Sequence, residues 1–284
     1  MDDPRLTPAR PEVAAAYLEG KVTAARFVEG TMAVVGDAIA PLRAAPRPDA
    51  MLQTQALMGE RVTIYDRTAE GWAWGQLESD GYVGWIPEGA LGMAKATPNR
   101  TSTHKVSALR TFGFPGPSIK LPPAATLPLG ALVSVTRSED TFAVTDTNLF
   151  IPAQHLAPRG QMEHDFVAVA ERFVGTPYLW GGKSSLGIDC SGLVQVALTA
   201  SGIGAPRDSD MQEASLGAAL PASDTGRLKR GDLVFWKGHV AIVRDATTLV
   251  HANAHHMATA IEPIRDAIAR IAASGSEVTS IRRL

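Results

Sequence analysis

The sequence predicts an α+β unit at its C-terminal end, preceded by two small all-β barrels. Three features carry this. Between residues 32 and 158, short apolar runs alternate with Gly, Pro and Asp, as short strands and tight turns do. From about residue 162, apolar residues recur at helical spacing over longer stretches. Aliphatic runs of strand length then follow between 232 and 252, and helices leading into an antiparallel sheet make an α+β unit.

A chain of 284 residues has room for two or three such units. Its net charge of −2 gives no electrostatic reason to bind nucleic acid or an acidic membrane surface. No apolar run reaches membrane-spanning length. The single cysteine excludes an internal disulfide and is compatible with a reducing compartment. Met1-Asp2-Asp3-Pro4-Arg5 is polar, and no apolar run of signal-peptide type follows it, so a cytoplasmic protein is expected.

In chain order, residues 1–31 predict a helical strap, because Val13, Ala16, Tyr17, Ala24, Phe27 and Val28 recur at roughly helical spacing. Residues 32–96 predict the first barrel, with strands at 34–35, 38–42, 53–57, 61–66, 72–77 and 82–86. Residues 97–160 predict a second barrel, with strands at 105–109, 131–136, 141–146 and 148–151. Pro115, Pro117, Pro122, Pro123 and Pro128 mark loops between them. Residues 161–284 predict the α+β unit. Its helices are 163–174, 189–200 (closed by Gly202) and 263–273 (opened by a proline), and its strands are 232–236, 239–244, 248–252 and 278–282.

Asp189-Cys190-Ser191-Gly192 stands directly before the apolar run of the second helix, so Cys190 lies in a first helical turn. Unpaired N–H groups and the positive end of the helix dipole favour a thiolate there, below the free value of about 8.5. A thiolate attacks carbonyl carbon, and the same N–H groups can hold an oxyanion. Taken alone, a cysteine beside apolar residues is more often a buried, inert side chain.

The histidines supply the second half of the pattern. A three-residue loop at 244–246 would pair Val243 with Thr247 and set His239 directly across from His251. Opposed residues have Cβ atoms about 4.5–5.5 Å apart on one face, so the rings would touch as a base and its orienting partner. A metal site completed by His255 or His256 is the alternative use of such a pair.

With these residues in place, a resemblance is evident. Pro177-Tyr178-Leu179-Trp180-Gly181-Gly182, Asp189-Cys190-Ser191-Gly192-Leu193-Val194 and Pro206-Arg207-Asp208-Ser209-Asp210-Met211-Gln212 come first. Gly231-Asp232-Leu233-Val234-Phe235-Trp236, His239-Val240-Ala241-Ile242 and His251-Ala252 follow in order. Together they resemble the NlpC family of papain-like cysteine peptidases, over roughly residues 162–284. Gly59-Glu60-Arg61-Val62, Gly71-Trp72-Ala73-Trp74 and Gly81-Tyr82-Val83-Gly84-Trp85-Ile86-Pro87 resemble bacterial SH3-like domains. The expected fold is therefore an α+β papain-like (NlpC type) catalytic domain preceded by two small all-β SH3-like barrels.

The resemblance implies Cys190 as nucleophile, His239 as base, His251 as third member and Tyr178 beside the oxyanion. It implies cleavage between γ-D-glutamate and a diamino acid in murein peptides, with no metal or organic cofactor. SH3-like units ahead of such a domain resemble a subgroup in which a barrel blocks one end of the cleft, so that only peptides with a free N-terminal L-Ala enter. Asp189 would then accept from the ammonium, unless it is only the helix cap. Ser191 and Ser209 would donate to the D-glutamate carboxylate. Asp208 would meet substrate or pair with Arg207. Tyr82, otherwise barrel core, would be the barrel's contribution, with Asp49 a looser second contact. The expected partner is a small murein peptide. An exported endopeptidase on intact wall and a non-catalytic wall-binding scaffold are the rival readings.

Overall fold

The computed structural model describes residues 3–92, 102–222 and 224–284. The chain divides into two compact units, Met1–Gln161 and Met162–Leu284. The expected junction at 96/97 between the two barrels lies outside the described residues.

The first unit opens with an extended segment. The helical strap expected over 1–31 is not formed. Short strands Ala9–Arg10, Val13–Ala15 and Phe27–Val28 pair with one another around a single 3-10 turn, Ala16–Leu18. The reason lies in what the segment covers. Val13, Ala15 and Leu18 pack on an aromatic face made of Tyr65, Trp72, Trp74 and Trp85. The Arg10 guanidinium lies over the Trp74 and Trp85 rings at 4.8 and 4.5 Å and pairs with Asp66.

Those aromatics belong to a six-stranded antiparallel sheet in the order Thr31–Val34, Arg61–Arg67, Trp72–Leu77, Val83–Pro87, Ile39–Arg43, Leu52–Leu57. Alternation sends Val62, Ile64, Leu77 and Ile86 to its own core. Register shifts at Ile64/Asp66 and Leu42/Arg43 bend the strands, as bulges do.

A second β-module follows, built from three small sheets. His104–Val106 lies between Leu132–Val133 and Leu156–Pro158; Arg110–Gly113 pairs with Ala125–Pro128; Val135–Glu139, Phe142–Thr145 and Phe150–Pro152 form a meander. Pro128, expected in a loop, instead ends a strand of a two-stranded sheet, where its missing N–H leaves no ladder broken on its outer side. The module's core, Val106, Leu127, Val133 and Ile151, is completed by Ala38 and Met58 of the first module. Gly59 makes this approach possible: its φ is +82°, and a Cβ there would lie 2.6 Å from Leu132.

The second unit is an α+β structure. Its six-stranded antiparallel sheet runs Ala218–Leu220, Val278–Arg283, Leu233–Trp236, His239–Val243, Thr248–Asn253, Ala258–Pro263. Four helices accompany it: α1 (Phe166–Glu171), α2 (Cys190–Ala200), α3 (Ser209–Ser215) and α4 (Ile264–Ala273). The α1 helix starts later than the expected 163 because Asp165 caps it, accepting from the N–H groups of Val167 and Ala168. On one side of the sheet, Ile264 and Ala267 of α4 pack with Val234, Trp236, Ala241, Val243 and Leu249. The α2 helix buries Leu193, Val194, Ala197 and Leu198 and packs against the strands at 239–243 and 248–253. Among the described residues, no helix is long and apolar enough to cross a membrane.

Candidate active site

Cys190 is the first residue of α2 and is buried. Asp189 caps the helix by accepting from the Gly192 N–H at 2.7 Å. Gly192 is required by packing: a Cβ there would fall 2.3 Å from the Gly182 carbonyl oxygen. The first turn of α2 is thus pressed against the backbone of the 181–182 segment, which holds the thiol at a fixed depth.

Asp189 does more than cap. Its carboxylate accepts from the Gly181 N–H, from Ser191 Oγ and from both terminal nitrogens of Arg207, at 2.9 and 2.7 Å. Arg207 also donates to Ser191 Oγ at 2.9 Å and to the Gly182 carbonyl. Gln212, buried in α3, donates to the carbonyls of Ser191 and Pro206. Asp189 and Ser191, expected from sequence as ligand contacts, are therefore buried and bound first to Arg207. Asp208 and Ser209 are half-buried at the start of α3, and Asp208 makes no side-chain cap there.

The thiol is not activated in the way the sequence suggests. The backbone N–H groups of Val240 and Ser191 do favour its ionised form, as the helix start should. Burial and the neighbouring Asp189 charge outweigh them and push the Cys190 thiol up to about 12. The resting group is a thiol. Tyr178, half-buried nearby, is likewise pushed up to about 12, first by burial and then by its ionisable neighbours Cys190 and Asp189. Its hydroxyl stays a neutral donor through the working pH range.

His239 opens its strand directly after the Lys237-Gly238 turn, where Gly238 takes a left-handed φ of +75°. The ring is half-buried against Trp236, with centroids 5.6 Å apart. A hydrogen bond of 2.9 Å joins His239 Nε2 and His251 Nδ1. The expected register is corrected here. Val243 pairs with Leu249 and Ile242 with Val250, a slip of two residues that makes the histidines diagonal neighbours instead of directly opposed. Asp245 causes the slip by accepting from the N–H groups of Thr247 and Thr248, which moves the turn forward by one residue. A slip of two keeps side chains on the same face, so the ring contact survives.

Burial holds both imidazoles neutral. His239 is lowered to about 3, by burial first and then by His251; His251 is lowered to about 4, chiefly by burial. His251 Nε2 lies 3.0 Å from Glu262 Oε2, and Arg270 donates to both oxygens of Glu262. His251, His256 and Glu262 bring ligand-type atoms within 4.8 Å of one another. Glu262 is already paired with Arg270, however, and a cation there would meet that guanidinium.

The structure thus gathers Cys190, Tyr178, Asp189 and Ser191 around Arg207, and joins His239 to His251. Among the described residues no hydrogen bond links the sulfur to the His239 ring; the two sides meet at Val240, whose N–H faces the sulfur. Such contacts commonly tighten only when substrate is bound. Tyr82 and Asp49 belong to the first unit. Tyr82 is buried behind a turn in which its N–H donates to Asp80, and Asp49 is exposed and paired with Arg47. Sequence reasoning did not identify Arg207, Gln212, Glu262 or Arg270 as parts of the site. Arg207 and Gln212 did stand inside the Pro206 to Gln212 block; Glu262 and Arg270 carried no signal.

Comparison with known proteins identifies the two regions of the chain. Residues 175–271 match the NlpC/P60 family, and residues 42–91 match the bacterial dipeptidyl-peptidase SH3 domain. Dipeptidyl-peptidase 6 of Lysinibacillus sphaericus is 39% identical over 101 residues, 36% of this chain and about a third (36%) of that relative. The γ-D-glutamyl-L-lysine dipeptidyl-peptidase of Bacillus subtilis is 30% identical over 204 residues, covering 66% of this chain and 65% of the relative. The crystal structure of an NlpC/P60 family protein from Bacillus cereus superposes with a TM-score of 0.74 at 23% identity, covering 89% of this chain and 99% of the other, and so shares the fold. The chain belongs to the NlpC/P60 family of cysteine peptidases, with a β-rich SH3-like region of the bacterial dipeptidyl-peptidase type ahead of its catalytic domain.

Proposed function

We propose that the protein is a dipeptidyl-peptidase acting on murein peptides with a free N-terminal L-Ala. It hydrolyses the bond between γ-D-glutamate and the diamino acid and releases L-Ala-γ-D-Glu, a step in the recycling of cell-wall peptides. One observation carries the reading: a mutually bonded histidine pair lies on the two strands packed against the helix that the chain's single thiol begins. The relatives named as γ-D-glutamyl-L-lysine dipeptidyl-peptidases support the substrate class.

In this mechanism Cys190 passes its proton to His239 as the sulfur attacks the γ-carbonyl carbon. The N–H groups at the start of α2 and the Tyr178 hydroxyl are the donors for the resulting oxyanion. The C–N bond breaks as His239 gives that proton to the leaving amine. Water then yields a proton to His239 and attacks the thioester carbon. The C–S bond breaks, and the sulfur recovers its proton. His251 keeps the base oriented throughout. Ser209 and Asp208 are the proposed substrate contacts, with Asp189 and Ser191 acting from the Arg207 cluster.

A cytoplasmic site of action is part of the same proposal, since the substrate is a small peptide already freed at its N-terminus. The test is direct. L-Ala-γ-D-Glu-L-Lys, its meso-diaminopimelate counterpart and their N-acetylated forms are incubated with protein, and the products are weighed. The free tripeptides should yield L-Ala-γ-D-Glu, while the acetylated ones stay intact. Equal cleavage of both would point to an endopeptidase and remove the exopeptidase reading.

A further inference from the structure

The histidine pair does not end at His251, and the groups beyond it bear on which nitrogen carries each proton. Arg270, on α4, donates from Nε to Glu262 Oε1 at 3.1 Å and from Nη2 to Oε2 at 2.6 Å. A carboxylate gripped at both oxygens by a guanidinium is held ionised and has no proton to give; Glu262 is indeed held below its ordinary range. His251 Nε2, 3.0 Å from Oε2, must therefore be the donor. A neutral imidazole has a single N–H, so His251 Nδ1 carries a lone pair. His239 Nε2, 2.9 Å from that lone pair, must donate to it. His239 Nδ1 is left bare, and it is the nitrogen on the far side of the ring from His251.

We infer that Glu262 and Arg270 are positioning residues that fix the tautomers of His251 and His239, so that the base presents an unprotonated Nδ1 for the cysteine proton. Each link has one allowed direction, and Arg270 sets the first. Reversing any link would place a proton on His239 Nδ1 and remove the base. The arginine has a second effect. The Glu262 charge favours a protonated His251, and Arg270 opposes it, so the carboxylate aims the ring without charging it. His256 also faces His251, at 6.4 Å between centroids, but its Nδ1 is bonded to Asn253 Oδ1.

This inference rests on the proposed peptidase reading, yet its first test needs no substrate. Nitrogen-15 spectra of histidine-labelled wild-type protein at neutral pH should show His239 and His251 as Nε2–H tautomers. An Nδ1–H form of either ring would overturn the proposal. Glu262→Gln has nearly the same size, but its carbonyl oxygen will face Arg270 and turn its amide N–H toward His251, which reverses the chain. We expect kcat/KM to fall by about 10²–10⁴-fold, carried mainly by kcat, as wrong-tautomer variants of histidine-based hydrolases do. Iodoacetamide alkylation of Cys190 should slow in parallel, and the His239 signal should shift to Nδ1–H. Arg270→Lys, which keeps the cation, should retain most of the activity and the wild-type tautomers. A Glu262→Gln protein with kcat within threefold of wild type, or with unchanged tautomers, would overturn the inference. A wild-type protein with the expected tautomers that leaves the tripeptide uncut would instead remove the substrate reading alone.

Discussion

Two carboxylate–arginine pairs flank Cys190 and the His239–His251 pair, and they do different work. On the cysteine side, Asp189 and Arg207 are almost without solvent, with side chains 9% and 1% exposed. On the histidine side, Glu262 and Arg270 are 10% and 27% exposed. Besides Ser191 Oγ, Asp189 accepts from backbone, the N–H groups of Gly181 and Gly192, and so fixes where the sulfur stands. Glu262 spends its remaining acceptor on a ring nitrogen, and so fixes where a proton stands. In both pairs the arginine turns a charge into a hydrogen-bond fixture. The lesson is that two equally buried carboxylates divide by what their remaining acceptors reach: backbone N–H groups hold the fold, and a ring nitrogen holds a protonation state.

The largest effect should come from breaking the buried pair. Arg207→Ala leaves Asp189 enclosed without its counter-ion, and losing one partner of a buried pair costs about 3–5 kcal/mol. Urea unfolding of the variant should show a loss of that size, with activity falling because the α2 start is no longer held. The double replacement Arg207→Met with Asp189→Asn removes both charges and keeps a capping side chain, so it should recover much of the stability. A single Arg207→Ala loss below about 1 kcal/mol would erase the distinction between the two pairs.

The histidine side should reveal itself through pH. His239 and His251 hold folded values of about 3 and about 4, below the 6.5 of an unburied ring. Between those values the unfolded chain binds more protons than the folded one, so stability is full above pH 6.5 and is lost as pH falls. The loss should reach on the order of a few kcal/mol by pH 5. Thermal unfolding followed from pH 7.5 to 4.5 should show it, with a flatter slope in His251→Gln. The thiol has the opposite sense: alkylation of Cys190 in the free enzyme should accelerate only in the alkaline range, because burial holds it protonated. A thiol alkylated as fast at pH 6 as at pH 9 would mean a resting ion pair instead.

How much of this was legible follows from the same contrast. The cysteine side announces itself because Asp189-Cys190-Ser191-Gly192 sits against a periodic apolar run, and cap, nucleophile and helix are local in sequence. The facing histidines were legible despite a misplaced turn, because a two-residue slip preserves the face. Glu262 was not legible: the buried positions of its strand are Thr259 and Glu262, so no apolar alternation marks the strand at all. The N-terminal segment misled for a related reason. Helical spacing from Val13 to Val28 was coincidental, and the informative pair was Val13 and Ala15, both fully buried with strand spacing over an aromatic face. Strand Ala125–Pro128 was hidden by its own proline. Each miss concerns an element defined by the partner it packs against and not by a pattern of its own.

A third pair sets the lower end of the scale. Arg230 donates twice to Asp165 Oδ2, at 3.1 and 2.8 Å, distances close to those of the inner pairs, but the side chains are 40% and 46% exposed. Water screens both charges, and neither carboxylate oxygen is aimed at a catalytic group. Asp165 also keeps its cap on α1 when the arginine is gone, because the Val167 and Ala168 N–H groups remain. Arg230→Ala should therefore cost less than about 1 kcal/mol in urea unfolding and leave kcat/KM on the free tripeptide within twofold. If Arg230→Ala instead destabilised as much as Arg207→Ala, burial would not be what sets the stability that such a pair contributes.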